Sequence, residues 1–153
     1  MSLATGPLEG RVTLATPGLL ESIDALLAFL PMAEARLSPG QWTGGDRRPD
    51  GVITMPAFSP AGWLLRFHRA AYANGWVRPG FHWSSWYEHT GRAYEDPARV
   101  QRASVDTICR LLTAHIRADR FIEGNLGEVV SSGMLGHILR RLAVIRERLV
   151  ATR

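Results

Sequence analysis

The sequence predicts a mainly α fold. It is read as a single-domain orthogonal helical bundle of four to five helices over residues 16–150, with a flexible N-terminus over residues 1–15 and a short irregular or extended insert around residues 40–57. Three observations predict this class. Apolar residues recur three and four apart in several stretches, the period of a helix that buries one face. Those stretches carry helix punctuation, with a polar cap and a proline before them and a glycine after. β-Branched character is confined to one segment, "GVITMPAF", too little for a sheet-based core.

The first helix starts from Thr16 as N-cap with Pro17 in its first turn, and Leu19, Leu20, Ile23, Leu26, Leu27 and Leu30 form its apolar face. Pro31 has no N–H to give and ends or bends that helix. "SPGQWTGGDRRPDGVITMPAFSP" is crowded with Gly, Pro and Asp and reads as loop. Its one extended segment, Val52–Met55, needs a partner such as Trp76–Val77 or another chain. Ser59 then caps a helix that Pro60 opens and Gly75 stops, with Leu64, Phe67, His68 and Ala71 on one face. An aromatic connector, "GWVRPGFHWSSWYEHTGRAYED", carries a short helix from Ser84. Asp96 and Pro97 start a long helix whose face is Val105, Ile108, Leu112 and His115 or Ile116. A shorter helix covers Glu123–Val130. The last helix lays Leu135, Ile138, Leu139, Leu142, Ile145 and Leu149 in one stripe and turns Arg140, Arg141, Arg146 and Arg148 mostly away from it.

The chain has 153 residues, enough for one domain with a real core, and its 46% hydrophobic and 21% charged content is that of a soluble globular protein. No apolar run approaches the ~20 residues of a membrane span. The start, "MSLATGPLEGRV", lacks the basic and apolar regions of a secretory signal, so a cytoplasmic protein is expected. The single cysteine, Cys109, excludes an internal disulfide and the thiolate-rich zinc sites, and its apolar neighbours predict an inert buried thiol. Neither H-E-x-x-H nor a P-loop is present, and no metal or cofactor is expected. All eighteen basic residues are arginine, and the net charge is +4. Twelve arginines and eight acids fall in residues 77–153, an excess too modest for a basic tail.

The densest stretch is "RADRFIEGNLGEVVSSGMLGHILRRL", Arg117–Leu142, and three accounts of it compete. In the structural account, Asp119 and Glu123 cap and order the turn between two helices, Arg120 bridges to one of them, Gly124 permits positive φ, and Ser131 or Ser132 caps the helix after Gly133. A helix-turn-helix account takes the Arg-bearing last helix as a nucleic-acid reader, but Arg140 and Arg141 lie well into that helix and its first turn, "MLGH", offers little beyond His137. An enzyme account pairs His115 with Asp119 one helical turn later, with Glu123 as a second acid, yet no nucleophile or cofactor motif accompanies them. The structural account gives every special residue a local job and is preferred. Upstream, Trp83, Trp86 and Tyr87 in "FHWSSWYEH" either pin the connector to the core or form an aromatic platform for a ligand.

"LLTAHIRADRFIEGNLGEVVSSGMLGHILRRL" resembles the C-terminal signature of a bacterial domain family of unknown function, and "YANGWVRPGFHWSSWYEH" resembles its aromatic segment. The similarity runs over roughly residues 60–145, and more loosely to Phe29. It departs from the family pattern at His82, where an acid is expected before Trp83. The resemblance implies no activity. The preferred function is a non-enzymatic binding or interaction module with an unknown protein partner or self-association, and the best ligand-site residues are Trp83, Trp86, Asp119, Arg120 and Glu123. The alternative is nucleic-acid binding through Arg140, Arg141, Arg146 and Arg148, and the third is a small hydrolase or transferase with an acidic site.

Overall fold

The computed structural model describes residues 16–152. The chain forms helices α1 (Thr16–Leu27), α2 (Leu30–Glu34), α3 (Gly62–Ala73), α4 (Trp83–His89), α5 (Pro97–Val100), α6 (Val105–Ala118), α7 (Asn125–Ser131) and α8 (Met134–Ala151). A 3-10 turn at Gly91–Glu95 and two strands, β1 (Gly40–Thr43) and β2 (Ala57–Pro60), complete the described elements. The mainly helical class is as expected, but the helices are more numerous and shorter. Of eight helical segments among the described residues, only α1, α3, α6 and α8 reach twelve residues. The expected flexible N-terminus, and the cap side chains of Thr16 and Pro17, lie outside the described residues.

α8 is the central element and packs against α1, α2, α5, α6 and α7. Its predicted stripe is the core: Leu135, Ile138, Leu139, Leu142 and Ile145 are buried. Leu20, Ile23 and Leu26 of α1 meet it from one side, and Ile108, Leu112 and Ile116 of α6 from another. Trp63, Leu64, Phe67 and Ala71 fix α3 in the same cluster. Removing such side chains from water is the main force holding helices this short, which have little stability alone.

Several boundaries differ from the sequence reading, each for a local reason. Pro31 falls in the first turn of α2, where a missing N–H is harmless, so it begins a helix after α1 has already ended. Asp96 does cap, accepting from the Ala98 N–H at 3.0 Å, but its helix α5 lasts four residues. The long helix α6 begins instead at Ser104, whose hydroxyl accepts from the Thr107 N–H at 3.1 Å. Ser59 and Pro60 do not start α3; they end strand β2, and Ala61 is the N-cap. β2 pairs antiparallel with β1, Gly40 opposite Pro60 and Thr43 opposite Ala57. Gly40 has φ +146, and a Cβ there would overlap the Ser59 carbonyl oxygen, so this close approach of two backbones requires glycine. The expected strand at Val52–Met55 is absent; one isolated bridge, Arg47 to Ile53, forms inside the hairpin loop. Its expected partner, Trp76–Val77, has another role.

Residues 76–78 cross the interior. Trp76, Val77 and Arg78 are all buried, and Arg78 is 0% exposed. The Trp76 indole donates to the Ser22 carbonyl of α1 at 2.9 Å. The Arg78 N–H donates to the Thr113 hydroxyl of α6 at 3.0 Å, and that hydroxyl also lies 3.1 Å from the Trp76 carbonyl oxygen. The Arg78 guanidinium donates through Nη2 to Asp106 Oδ1 at 2.7 Å, while Asp106 Oδ2 lies 3.0 Å from Arg110 Nε. Both guanidinium groups sit against the Phe81 ring, 5.9 and 5.6 Å from its centre. Cys109 lies buried under this connector, as its neighbours predicted. Asp106→Ala is expected to lower unfolding free energy by about 2–4 kcal/mol, because it strands a buried charge. Chemical denaturation of Asp106→Ala, Arg78→Met and the double variant checks this: the double variant should be closer to wild type than Asp106→Ala is.

Candidate functional site

A cavity of about 550 Å³ opens between α4, the 3-10 turn, α6, α7 and the start of α8. Its walls are aromatic on one side, with Trp83, Tyr87 and Tyr94, and apolar on another, with Ala114, Ala118 and Val129. Polar groups enter at few points, notably Glu95, His115, Asn125, Glu128 and His137. Trp83 and Tyr87 are four residues apart on α4, so one helical turn brings both to the same wall. α4 rests on α6, which supplies His115.

The aromatic wall is held in place by hydrogen bonds and ring contacts. The Tyr87 hydroxyl donates to Glu95 Oε2 at 2.7 Å. The ring meets the His115 imidazole edge-on at 5.6 Å, and the Arg92 guanidinium lies 5.8 Å from its centre. Burial, and then the Glu95 carboxylate that the hydroxyl serves, push the Tyr87 phenol well above its usual range, so it stays protonated. Burial lowers the His115 pKa to about 4, against a smaller opposing effect of Glu95, so this imidazole is neutral at pH 7. The Asn125 amide donates to the His115 carbonyl oxygen at 2.9 Å and ties the start of α7 to α6.

The sequence-selected residues separate into different places. Trp83 lines the cavity. Trp86 does not: it packs 5.8 Å from Phe81 and lies so close to Gly91 that a Cβ there would stand 2.6 Å from its ring. Asp119 accepts from the Leu126 N–H at 2.9 Å, ordering the first turn of α7 as the structural account required. Glu123 does not cap its own helix; its Oε2 accepts from the Phe58 N–H at 2.6 Å and tethers the β hairpin to this turn. Gly124 has φ +78, and a Cβ there would stand 2.5 Å from the Trp42 ring, so glycine lets the hairpin close onto the turn. Arg120 is exposed and makes no ion pair with a described residue, unlike the expected bridge to Asp119 or Glu123.

The pairing of His115 with Asp119 that the enzyme account required does not form. Asp119 faces a small crevice of about 110 Å³ with His68, whose pKa burial lowers, with Asp119 opposing and Arg120 adding. Ser132 contributes a weak cap, accepting from the Met134 N–H at 3.3 Å, while Gly133 holds the junction. The first turns of α8 are packed inside the molecule, with Leu135, Gly136, Ile138 and Leu139 buried. Of the four arginines on α8, Arg140 pairs with Glu34 and Arg146 with Asp24, and Arg141 donates through Nε to the Ala103 carbonyl at 2.8 Å. Beside the cavity mouth Phe121 is 77% exposed and lies 6.1 Å from Trp83.

The residues that sequence reasoning left out of its site, Tyr94, Glu95, Glu128 and His137, come from three separate segments of chain. The α4 spacing could have found Tyr87 as the partner of Trp83; no local pattern marks the others. Among the described residues no group of three or more His, Cys, Asp or Glu side chains is placed to hold a metal, and no helix is long and apolar enough to cross a membrane.

A model of a family of unknown function, DUF6508, matches residues 19–148. That span includes the aromatic segment and the C-terminal signature, and it extends the resemblance back through α1. Neither a curated protein nor a solved structure significantly matches the chain.

Two outcomes follow from this geometry. His115 has a folded-state pKa below its unfolded value near 6.5, so unfolding takes up a proton and stability falls as pH drops from about 6.5 toward 4. The loss at about pH 5 should be on the order of 2 kcal/mol, and His115→Gln should remove most of that slope in thermal melts. Separately, Glu123→Ala should lower stability by about 1 kcal/mol, and proteolysis should become faster within residues 44–56 of the released hairpin.

Proposed function

The chain belongs to DUF6508, a family of unknown function, and from its own residues we propose that it is a non-enzymatic binding module for a small molecule with an aromatic or apolar body. The observation that carries this is the cavity of about 550 Å³ between α4 and α6–α8. Small-molecule sites commonly enclose about 300–1,000 Å³, with apolar and aromatic walls and a few fixed polar groups. Trp83, Tyr87 and Tyr94 would stack on the ligand body. The Tyr87–Glu95 hydrogen bond holds two of those groups in place before binding, which reduces the ordering entropy that binding must overcome.

Recognition suits these groups better than proton transfer does. His115, with a pKa near 4, is a weak general base at pH 7, and Tyr87 stays protonated. Each can give or accept a hydrogen bond as a neutral group.

A second reading, self-association, is favoured by one observation. Phe121, Ile122 and Trp42, at 77, 60 and 56% exposure, stand around the same turn beside Trp83. Sedimentation should then show a concentration-dependent dimer that Phe121→Glu disperses; a monomer at all concentrations removes this reading.

For the cavity, fragment screening by NMR should give hits that perturb the Trp83 indole and His115 ring signals. Ala118→Phe, which fills the cavity from α6, should abolish them with little change in melting temperature, and Trp83→Ala should weaken them about tenfold. Hits that bind equally to Ala118→Phe, or no hits at these signals, would refute the assignment.

A further inference from the structure

We propose that a pocket lined by arginines on α8 is an anion site for the phosphoryl group of a small ligand. This pocket encloses about 320 Å³ and is lined by Gln101, His137, Arg140, Arg141, Val144 and Arg148. His137, Arg141, Val144 and Arg148 follow at steps of four, three and four, which places them along one face of the helix. Arg146 falls on another face and is paired with Asp24, so it takes no part.

The pocket is built and its charge is not balanced. No acid lines it. Glu34, from α2, holds Arg140, with both Nε and Nη2 2.6 Å from its Oε2. Arg141 is pinned by Nε to the Ala103 carbonyl at 2.8 Å, which fixes the plane of its guanidinium and leaves the outer nitrogens to the pocket. Neither Arg141 nor Arg148 has an ion-pair partner among the described residues. Burial first, and then the charge of Arg148, press the Arg141 pKa below the ordinary arginine range, the sign of a cation that lacks a counter-charge. A planar fork held in place beside a second guanidinium matches a phosphoryl group, which accepts paired N–H donors.

His137 lines both this pocket and the cavity described above, so the two lie beside one side chain. Its Nδ1 is buried and has no hydrogen-bond partner among the described residues. A single ligand can therefore place an aromatic body against Trp83 and Tyr87 and its phosphoryl group on Arg141 and Arg148. That continuity rests on the cavity reading above; the anion pocket itself does not.

The test uses the full chain and four probes. Inorganic pyrophosphate, titrated by calorimetry at low salt, should bind with Kd below about 1 mM. Arg148→Glu should weaken it at least about fivefold while the protein stays folded in thermal melts, since Arg148 is exposed and holds no described ion-pair partner. Glu34→Gln, which frees Arg140, should tighten it about two- to threefold. Ala118→Phe should leave pyrophosphate binding unchanged, so a failed cavity reading and a failed anion site give different results. Phenyl phosphate should bind more tightly than inorganic phosphate, and Ala118→Phe should erase the difference; equal affinities would overturn the shared ligand. Absence of pyrophosphate binding, or binding indifferent to Arg148→Glu, would overturn the anion site. A short single-stranded DNA that binds where pyrophosphate does not would replace it with a nucleic-acid surface.

Discussion

The Arg78 guanidinium has no contact with solvent, and its one carboxylate partner among the described residues, Asp106, is shared with Arg110. A buried charge is tolerated only where fixed partners hold it, so Asp106 and Phe81 must keep their positions at the guanidinium while Thr113 fixes the Arg78 main-chain N–H. That requirement sets the path of residues 76–78 between α1 and α6. It also sets where the chain emerges, and hence where α4 lies. The aromatic wall of the cavity is placed by this one polar anchor, at a distance from any ligand.

A second set of constraints acts from the other end of α6. Asp119 orders the start of α7, Glu123 draws the hairpin in, and Asn125 ties back to the His115 carbonyl. Each bond is modest alone, and together they define the angle between α6 and α7. Asp119 and Glu123 of the C-terminal signature are thus spent on main-chain N–H groups. The other polar groups of the cavity include Glu95, which accepts from Tyr87, and Glu128 and His137 of the same signature.

The helical stripes were legible because a period of three to four apolar residues has one inexpensive solution, burial of that face. Leu135 to Ile145 in α8 and Ile108 to Ile116 in α6 are buried where the pattern put them. Asp96–Pro97 was also a true cap, but the chain carries a second, at Ser104, and nothing local says which one begins the long helix. Ser59–Pro60 misled because a serine and proline before an apolar run suit a helix start and the end of an edge strand equally well. The close approach of Gly40 to Ser59 decided between them, a contact nineteen residues apart in sequence. Trp83 and Trp86 share a spacing that suits either packing or a platform; Phe81 and Gly91 absorb Trp86 into packing, while Trp83 lines the cavity.

The sequence by itself determined that this chain is mainly helical, which faces of its long helices are buried, that Cys109 makes no disulfide within the chain, and that it belongs with its family. These follow from periodicity, composition and motif, all properties of neighbours along the chain. Tertiary structure alone decided which polar groups meet. His115 pairs with Tyr87 and not with Asp119, Glu123 serves Phe58, and Arg141 and Arg148 share a pocket while Arg146 is spent on Asp24. The physical reason is that a helix fixes the spacing of its side chains but not the neighbour each one faces. That depends on the rotation and crossing of helices, which packing around α8 and the buried Arg78 sets.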